Sequence, residues 1–415
     1  MHADTIIFEE LTGVRRSLRI AVVTETYPPE VNGVATTAAR FVEGLRARGH
    51  QIQLVRPRQS NEVLSNQDDF LVRGLAIPKY PSLKMGLPAR RALERLWTLR
   101  RPDIVHIVTE GPLGWSALQA AEKLKLPAVS DFRTNFHAYS AHYGVGWLKK
   151  PILAYLRKFH NRTLFTLVPT EAMRTELAGH RFRGLRVIAR GVDTRLFDPA
   201  RRNNTLRASW GAGPADPVLI HVGRLAAEKN LACLAAAYEA ARKRSPRAKL
   251  VLVGDGPERR ALQQRFPEAI FAGVRKGEDL AMHFASGDLF LFPSLTETYG
   301  NVTLEAMASG LAIVAFNYAA AAEVIRHGAS GLLAPYGDTD SFARLTAGLA
   351  AAPARATQFG VQARYEATGR GWTKVVEQLE ATLLIAADAG ISGIKLDKWG
   401  QTPFFSFSPA RRSEP

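Results

Sequence analysis

Residues 288–310 read DLFLFPSLTETYGNVTLEAMASG, and the interpretation of fold and site starts from this stretch. Residues 288–292 form an apolar run typical of a strand that is buried on both faces of a sheet. A polar loop follows, and a helix is predicted to begin near residues 301–303. The first turn of a helix has free backbone N–H groups and positive dipole character, so this strand–loop–helix unit predicts a site for phosphate oxygens.

Two glutamates lie on either side of the predicted helix start. Glu305 lies about one turn inside the helix, where its carboxylate can accept hydrogen bonds from a ribose diol. Glu297 lies in the loop and can reach hydroxyl groups of a sugar attached to the phosphate. The structural alternative is a polar loop followed by a glutamate that favours the helix dipole. The residues predicted to bind a nucleotide-sugar here are Glu297, Tyr299, Gly300, Asn301, Val302 and Glu305.

A second candidate segment, residues 221–230, follows an apolar strand at residues 218–222. Arg224 offers a planar, forked guanidinium and Lys229 a mobile point charge, so the two could flank a diphosphate. Their role would be to neutralise the negative charge that grows on a leaving nucleotide. The structural alternative is an arginine at a strand end and a lysine that faces solvent. It is less favoured when this segment is considered together with the segment that contains Glu297 and Glu305.

Two further candidates come from the first half of the chain. Gly33 precedes the helix predicted at residues 36–48, and glycine lets the backbone approach a ligand closely at a helix start. A simple turn is an equal alternative, and the absence of a GxGxxG pattern removes the usual support for NAD binding. His137 follows a strand predicted at residues 128–130 and could contact the sugar, although a lone loop histidine is more often structural. His50 and Cys233 are both interpreted as structural, with Cys233 buried and unreactive.

Strands and helices alternate along the chain, which indicates βαβ units and parallel sheets. The alternation breaks near residues 198–215, a segment of linker composition, and then restarts. We therefore predict an α/β protein with two doubly wound domains at residues 18–198 and 199–371. An extension at residues 1–17 and a tail at residues 391–415 flank them. Ligands of such sheets bind beyond the carboxyl ends of the strands, so the cleft between the domains is the expected site.

The net charge of +17 is concentrated in residues 1–200, which hold 30 Lys and Arg against 18 Asp and Glu. An anionic membrane, an anionic small substrate and an arginine-rich proteome are the interpretations left open. Nucleic acid is disfavoured because zinc-finger spacing, an RNP-like strand and a dense basic helix are all missing. Neither a secretory signal nor a run of about 18 apolar residues is found. We expect a cytoplasmic protein that rests on the inner face of the plasma membrane through its basic first domain, with residues 80–101 as the candidate contact.

Together these segments resemble the bacterial members of glycosyltransferase family 4, over roughly residues 18–385. Within the family the chain looks closest to GDP-mannose-dependent α-mannosyltransferases that act on glycolipids. The stretches that carry the resemblance are residues 24–35, 191–197, 223–230, 253–257 and 297–305. The resemblance implies the GT-B fold, in which two Rossmann-like domains face a central cleft, and a retaining transfer. It also implies that the last helix, at residues 372–390, returns to the first domain.

The family also implies roles by position. Arg224 and Lys229 would hold the donor diphosphate, Glu305 the ribose and Glu297 the donor sugar. Gly33 would lie against the phosphate from the opposite domain, and His137 near the transferring sugar. The predicted catalytic residues are accordingly Arg224, Lys229, Glu297 and His137. Family chemistry is metal-independent, so neither a metal site nor a cofactor is expected, and residues 338–340 are interpreted as a helix cap.

The predicted function is the transfer of a hexose, most simply mannose from GDP-mannose, to a lipid or glycolipid acceptor. One alternative is a transferase that uses a UDP-hexose or UDP-hexuronate to make a diacylglycerol glycolipid or a cell-surface polysaccharide. A soluble acceptor is a further alternative within the same class. A non-enzymatic nucleotide-sugar-binding protein is disfavoured because Arg224, Lys229, Glu297 and Glu305 are all present.

Overall fold

The structure is a computed structural model, and it describes residues 16–30, 32–58, 68–77, 80–133, 149–296 and 299–392. The predicted extension and tail lie almost wholly outside these residues. Within them the chain folds around two parallel β-sheets that follow one another in sequence. The predicted α/β class with two Rossmann-like units is therefore confirmed. The residue bounds of the domains stay predictions.

The first sheet has the strand order β3-β2-β1-β6-β7-β8-β9, and all its pairs are parallel. Strands β4 and β5 form a separate antiparallel pair. The strands of this half are β1 (Arg19–Val23), β2 (Gln51–Pro57), β3 (Asp69–Val72), β4 (Gly74–Ile77), β5 (Tyr80–Gly86), β6 (Ile104–Ile107), β7 (Ala128–Asp131), β8 (Phe165–Val168) and β9 (Leu185–Val187).

The second sheet has the order β12-β11-β10-β13-β14-β15 and is also parallel throughout. Its central strands are apolar and buried on both faces, as the sequence pattern predicts for a sheet covered by helices. Its strands are β10 (Val218–Val222), β11 (Lys249–Val253), β12 (Ile270–Gly273), β13 (Leu289–Phe292), β14 (Ala312–Phe316) and β15 (Gly331–Ala334).

Helices cover both faces of each sheet. In the first half they are α1 (Gly33–Ala47), α2 (Arg90–Leu99), α3 (Pro112–Lys123), α4 (Lys149–His160) and α5 (Glu171–Gly179). In the second half they are α6 (Asn204–Ser209), α7 (Leu231–Arg244), α8 (Arg259–Arg265), α9 (Gly277–Ala285), α10 (Asn301–Ala308), α11 (Ala319–Val324), α12 (Thr339–Ala350), α13 (Pro353–Thr368) and α14 (Trp372–Ser392). Short 3₁₀ turns occur at Pro199–Arg201 and Ala227–Lys229. No helix in the described part of the chain is long and apolar enough to span a membrane.

Helix α14 follows the second sheet in sequence but packs on the first. Leu379 and Leu383 are fully buried in the same apolar cluster as Ile20 and Phe41. Polar contacts fix the same helix, because Glu380 accepts hydrogen bonds from Arg48 Nε at 2.6 Å and pairs with His50 Nε2 at 3.0 Å. The prediction that His50 is structural is therefore confirmed.

Two predicted elements differ in detail from the observed ones. Helix α1 begins at Gly33, earlier than the predicted residue 36, because the Asn32 side chain accepts hydrogen bonds from the N–H groups of Val34 and Ala35. The candidate membrane contact at residues 80–101 contains a strand in addition to a loop and a helix. Its first part is strand β5, which pairs antiparallel with β4.

Two structural interpretations of polar residues are confirmed. Cys233 is buried on α7, and burial raises the pKa of its thiol to about 11, which keeps it unreactive near neutral pH. Asp338 caps α12, since its carboxylate accepts a hydrogen bond from Ser341 N at 2.9 Å.

Candidate active site

The first candidate segment occupies the carboxyl end of β10, at the centre of the second sheet. Strand β10 ends at Val222, and Gly223 then adopts a φ of 155°. The Lys229 side chain passes this glycine and places Nζ 5.8 Å from the centre of the Phe292 ring, at the end of β13. Lys229 is therefore held across the ends of two adjacent strands.

Arg224 lies between the end of β10 and Lys229 in the same turn. Its side chain is exposed, and its guanidinium pairs with Glu228, which is only 4% exposed. The Ser294 hydroxyl donates to the carbonyl of Glu228 at 3.4 Å. The turn with Arg224 and Lys229 is thus fastened to the segment after β13, and the two segments singled out in the sequence meet at one edge of the sheet.

Helix α10 begins at this edge without a side-chain cap. Its N-cap residue, Gly300, adopts a left-handed φ of 83°, and among the described residues no side chain makes a capping hydrogen bond to the backbone of the first turn. A Cβ atom on Gly300 would lie 3.0 Å from Phe292 Cζ, so both conformation and space require glycine here. Lys229 and Gly300 approach the same Phe292 ring, so this helix start lies near a lysine and forms a positive site that suits phosphate oxygens.

Glu305 lies on α10, one turn beyond its start, and is half-buried. Burial raises the pKa of its carboxyl group to about 7. Its carboxylate makes no hydrogen bond to any residue that the structure describes. Both oxygens are therefore available to accept hydrogen bonds from a bound polar ligand such as a ribose.

Gly33, from the first half of the chain, meets α10 across the gap between the sheets. A Cβ atom on Gly33 would lie 3.5 Å from Nδ2 of Asn301 and 2.8 Å from a terminal nitrogen of Arg190. Arg190 donates a hydrogen bond to Oδ1 of Asn301 at 2.9 Å. The starts of α1 and α10 therefore face each other, with one guanidinium between them.

Two other predicted ligand residues have side chains engaged in packing. Tyr299 is 3% exposed, and its hydroxyl donates to the carbonyl of Arg190 at 3.2 Å. Val302 packs against the apolar core of the second sheet. Any contact that these two residues make with a donor would come from their backbone. His137 and Glu297 lie outside the described residues, so their roles stay predictions.

Sequence reasoning missed two buried glutamates at the carboxyl edge of the first sheet. Glu25, which follows β1, accepts a hydrogen bond from Leu113 N at 2.8 Å at the start of α3, and burial raises its pKa to about 7. Glu110, which follows β6, is 6% exposed, and burial with repulsion from Glu25 and Asp131 raises its pKa to about 8. The rule that identified Arg224, a polar residue just after a buried strand, would also have found them.

Sequence reasoning also missed Arg190. It directly precedes residues 191–197, a stretch that was used for the family resemblance alone, so this side chain was not singled out. The described ranges hold no group of three His, Cys, Asp or Glu side chains arranged to bind a metal ion.

Two family descriptions match the chain, one on each side of the predicted seam. Residues 31–196 match Glycosyltransferase Family 4, and residues 216–351 match Glycosyl transferases group 1. The chain is 32% identical over 368 residues to a GDP-mannose-dependent alpha-mannosyltransferase of Mycobacterium tuberculosis, covering 87% of this chain and 95% of that protein. It is 35% identical over 325 residues to the protein of the same name in Corynebacterium glutamicum, covering 77% of each.

The chain therefore belongs to glycosyltransferase family 4. Among solved structures, a sucrose-phosphate synthase from Thermosynechococcus elongatus superposes with a TM-score of 0.74 at 18% identity, covering 90% of this chain and all of that one. At that identity the match concerns the fold alone, which is GT-B. These findings confirm the predicted family, the predicted fold and the prediction that the chain is a hexosyltransferase.

Proposed function

We propose that this hexosyltransferase moves mannose from GDP-mannose to a lipid or glycolipid acceptor with retention at the anomeric carbon. The observation that supports the proposal is that the turn with Arg224 and Lys229 is hydrogen-bonded to the segment after β13, which leads into the uncapped start of α10. The alpha-mannosyltransferases of Mycobacterium tuberculosis and Corynebacterium glutamicum support GDP-mannose as the donor, since their names state it.

Each group at this edge has a distinct task. As the bond between mannose and phosphate breaks, negative charge grows on the leaving GDP, and Arg224 and Lys229 neutralise it together with the helix start. Glu305 accepts hydrogen bonds from the ribose. Glu297 and His137 are assigned to the hydroxyl groups of the donor sugar. The acceptor hydroxyl attacks the anomeric carbon from the face that the phosphate leaves, and the leaving phosphate takes its proton.

The acceptor is proposed to reach the cleft from an anionic membrane on the cytoplasmic side. The pair β4–β5 exposes Leu75 and Met85, and the neighbouring helix α2 exposes Arg90 and Arg91. Apolar side chains beside cations suit the interface of an anionic bilayer, where each nearby cation adds about 1 kcal/mol of attraction. Flotation with vesicles of phosphatidylglycerol tests this part, with phosphatidylcholine vesicles as the control. Equal binding to both vesicle types, or to neither, contradicts it.

Melting temperatures measured with different donors test the choice of nucleotide. A ligand that binds only the native state raises the melting temperature. We expect GDP-mannose to raise it more than UDP-glucose, UDP-glucuronate or ADP-glucose at equal concentration, and we expect the protein to release GDP from GDP-mannose, with the mannose passing to water when no acceptor is supplied. A larger shift with a UDP-sugar supports the alternative donor class, and no release of nucleotide from any of the four contradicts the proposed transferase.

A further inference from the structure

Arg190 connects the two halves of the cleft. It follows β9 of the first sheet, and its side chain is 94% buried. Its guanidinium donates to Oδ1 of Asn301 at 2.9 Å, while its carbonyl accepts a hydrogen bond from Tyr299 at 3.2 Å. Both the side chain and the backbone of one residue are therefore fastened to the segment that opens α10.

The same guanidinium also limits which residue can occupy position 33, at the start of α1. A Cβ atom on Gly33 would lie 2.8 Å from its terminal nitrogen, closer than such atoms approach in proteins. Arg190 thus occupies the space that a side chain at position 33 would need. The separation between the starts of α1 and α10 is set by a group that contacts both.

A cation in this position has an electrostatic cost. Helix starts carry partial positive charge, so a guanidinium beside two of them is repelled. The Asn301 carbonyl oxygen and the face of the Tyr299 ring, 5.9 Å from the guanidinium carbon, offset part of that repulsion. A phosphate group bound between the two helix starts would be attracted by the guanidinium and by both starts.

We propose that Arg190 is a positioning residue that acts through Asn301, holding the start of α10 against the start of α1 so that both face one donor phosphate. The inference rests on the proposed function, because it needs a donor diphosphate at α10. It adds to the proposed function by assigning the placement of the α10 start against the α1 start to one arginine. The contacts that bind the nucleotide itself, at Arg224, Lys229 and Glu305, lie on the second domain and do not depend on it.

The main experiment is steady-state release of GDP from GDP-mannose by Arg190→Ala and Arg190→Lys. A misplacement of about 1 Å can cost about 100-fold in rate, so we expect kcat to fall between about 10- and 100-fold in Arg190→Ala. The KM for GDP-mannose should change less than about 3-fold, because this mutation leaves the nucleotide contacts intact. Arg190→Lys keeps the charge without the planar fork and should show an intermediate kcat.

A second variant tests whether Arg190 works through Asn301. Residues that act as one unit show non-additive losses. We expect the double variant Arg190→Ala/Asn301→Ala to be no slower than the slower single variant. A double variant whose loss is the product of the two single losses contradicts the inference.

Arg207→Ala is the matched control for removal of a buried arginine. Arg207 is 2% exposed and donates to the carbonyl groups of Ser286 and Asp216, near the amino ends of β10 and β13 and so away from the cleft. It should lower the melting temperature and leave kcat unchanged when assayed well below that temperature. If Arg190→Ala fails to fold, Arg190→Lys decides the question in the same assay.

The inference is wrong if a folded Arg190 variant keeps the wild-type kcat, or if only KM changes. The proposed function is tested separately by Arg224→Ala. Loss of GDP release in Arg224→Ala together with normal kcat in the Arg190 variants overturns the inference alone. Normal GDP release in Arg224→Ala overturns the proposed function on which the inference rests.

Discussion

The carboxyl ends of the two sheets carry different ionisable groups. At the first sheet the edge is lined by buried carboxyl groups, with Glu25 and Glu110 after β1 and β6. At the second sheet the edge carries Arg224 and Lys229 beside a helix start. The net charge of the two halves does not follow the groups at these edges, because residues 1–200 hold most of the net charge of +17. Net charge therefore does not locate an anion site, whereas the residues at the strand ends do.

The two edges also differ in what they can bind. A diphosphate is repelled by carboxylates and stabilised by cations, so the second edge suits the donor. Carboxyl groups with pKa values near 7 and 8 are partly protonated at neutral pH and can both donate and accept hydrogen bonds. This is the chemistry that binds hydroxyl groups, and it suits the acceptor side of the cleft. Substitutions in the two halves of the chain test this difference between the groups at the two sheet edges.

The largest effect is expected for Arg224→Ala and Lys229→Ala. Each removes a positive group aimed at charge that develops on the leaving GDP, and loss of one such group costs about 100- to 1,000-fold in kcat. Steady-state GDP release from GDP-mannose measures it. Arg242→Ala is the control, because Arg242 is an exposed arginine on α7 that pairs with Glu268. If Arg242→Ala loses as much activity as Arg224→Ala, the loss in Arg224→Ala is not caused by the position of Arg224 at the edge of the second sheet.

Gly33→Ala should lower kcat by about 10- to 100-fold, because the new methyl group would displace Arg190 and widen the gap between the helix starts. The same kinetic assay measures it. Gly179→Ala is the control, since a Cβ atom there meets nothing within 4 Å. Wild-type kcat in a folded Gly33→Ala protein would show that the two helix starts do not need their close approach.

Glu305→Gln should change the pH dependence of stability and of donor binding. Burial raises the pKa of Glu305 from its ordinary value of 4.5 to about 7, so its contribution to stability is full below about 4.5 and is lost as the pH rises through about 7. The ionised carboxylate, which can accept two ribose hydrogen bonds, becomes more populated as the pH rises through the same value. We expect the wild-type KM for GDP-mannose to fall as the pH rises through about 7, and this step to be missing in Glu305→Gln. An identical step in both proteins would assign it to another group.

The smallest effect on catalysis is expected for Glu380→Gln, because Glu380 fixes helix α14 on the first sheet through its contacts with Arg48 and His50. Burial by itself would raise the pKa of Glu380, but the hydrogen bonds from Arg48 and His50 outweigh it and lower the pKa. Its stabilising contribution is therefore present at neutral pH and is lost as the pH falls through its lowered pKa.

Urea unfolding at pH 7 should show a loss of about 2 kcal/mol for Glu380→Gln, the usual size for hydrogen bonds to a charged group. The value of kcat should stay unchanged below the melting temperature. A fall in kcat without a fall in stability would mean that helix α14 has a direct role at the site.

Much of the fold could be predicted because strands buried on both faces and their following helices leave strong local patterns. Strand β13 and the start of α10 were predicted from residues 288–310 alone, and the structure places them as expected. The hairpin β4–β5 was not predicted, because its pairing depends on contacts between strands rather than on a local repeat. The start of α1 was placed late because the cap at Asn32 was not recognised.

The candidate site was predicted less completely. Arg224, Lys229 and the residues around Asn301 could be found because each follows a recognisable strand. Arg190 could not, because its importance comes from a contact with a residue 111 positions away. Tyr299 was assigned to the ligand, whereas its hydroxyl bonds to Arg190, since sequence spacing does not say which way a side chain points.

A crystal structure of the complex with GDP-mannose, or with GDP and mannose, tests the central claim most directly. We expect the diphosphate oxygens to lie within about 3 Å of the Arg224 and Lys229 nitrogen atoms, beside the first backbone N–H groups of α10. A diphosphate bound at the edge with Glu25 and Glu110, or anywhere remote from Arg224 and Lys229, would contradict it.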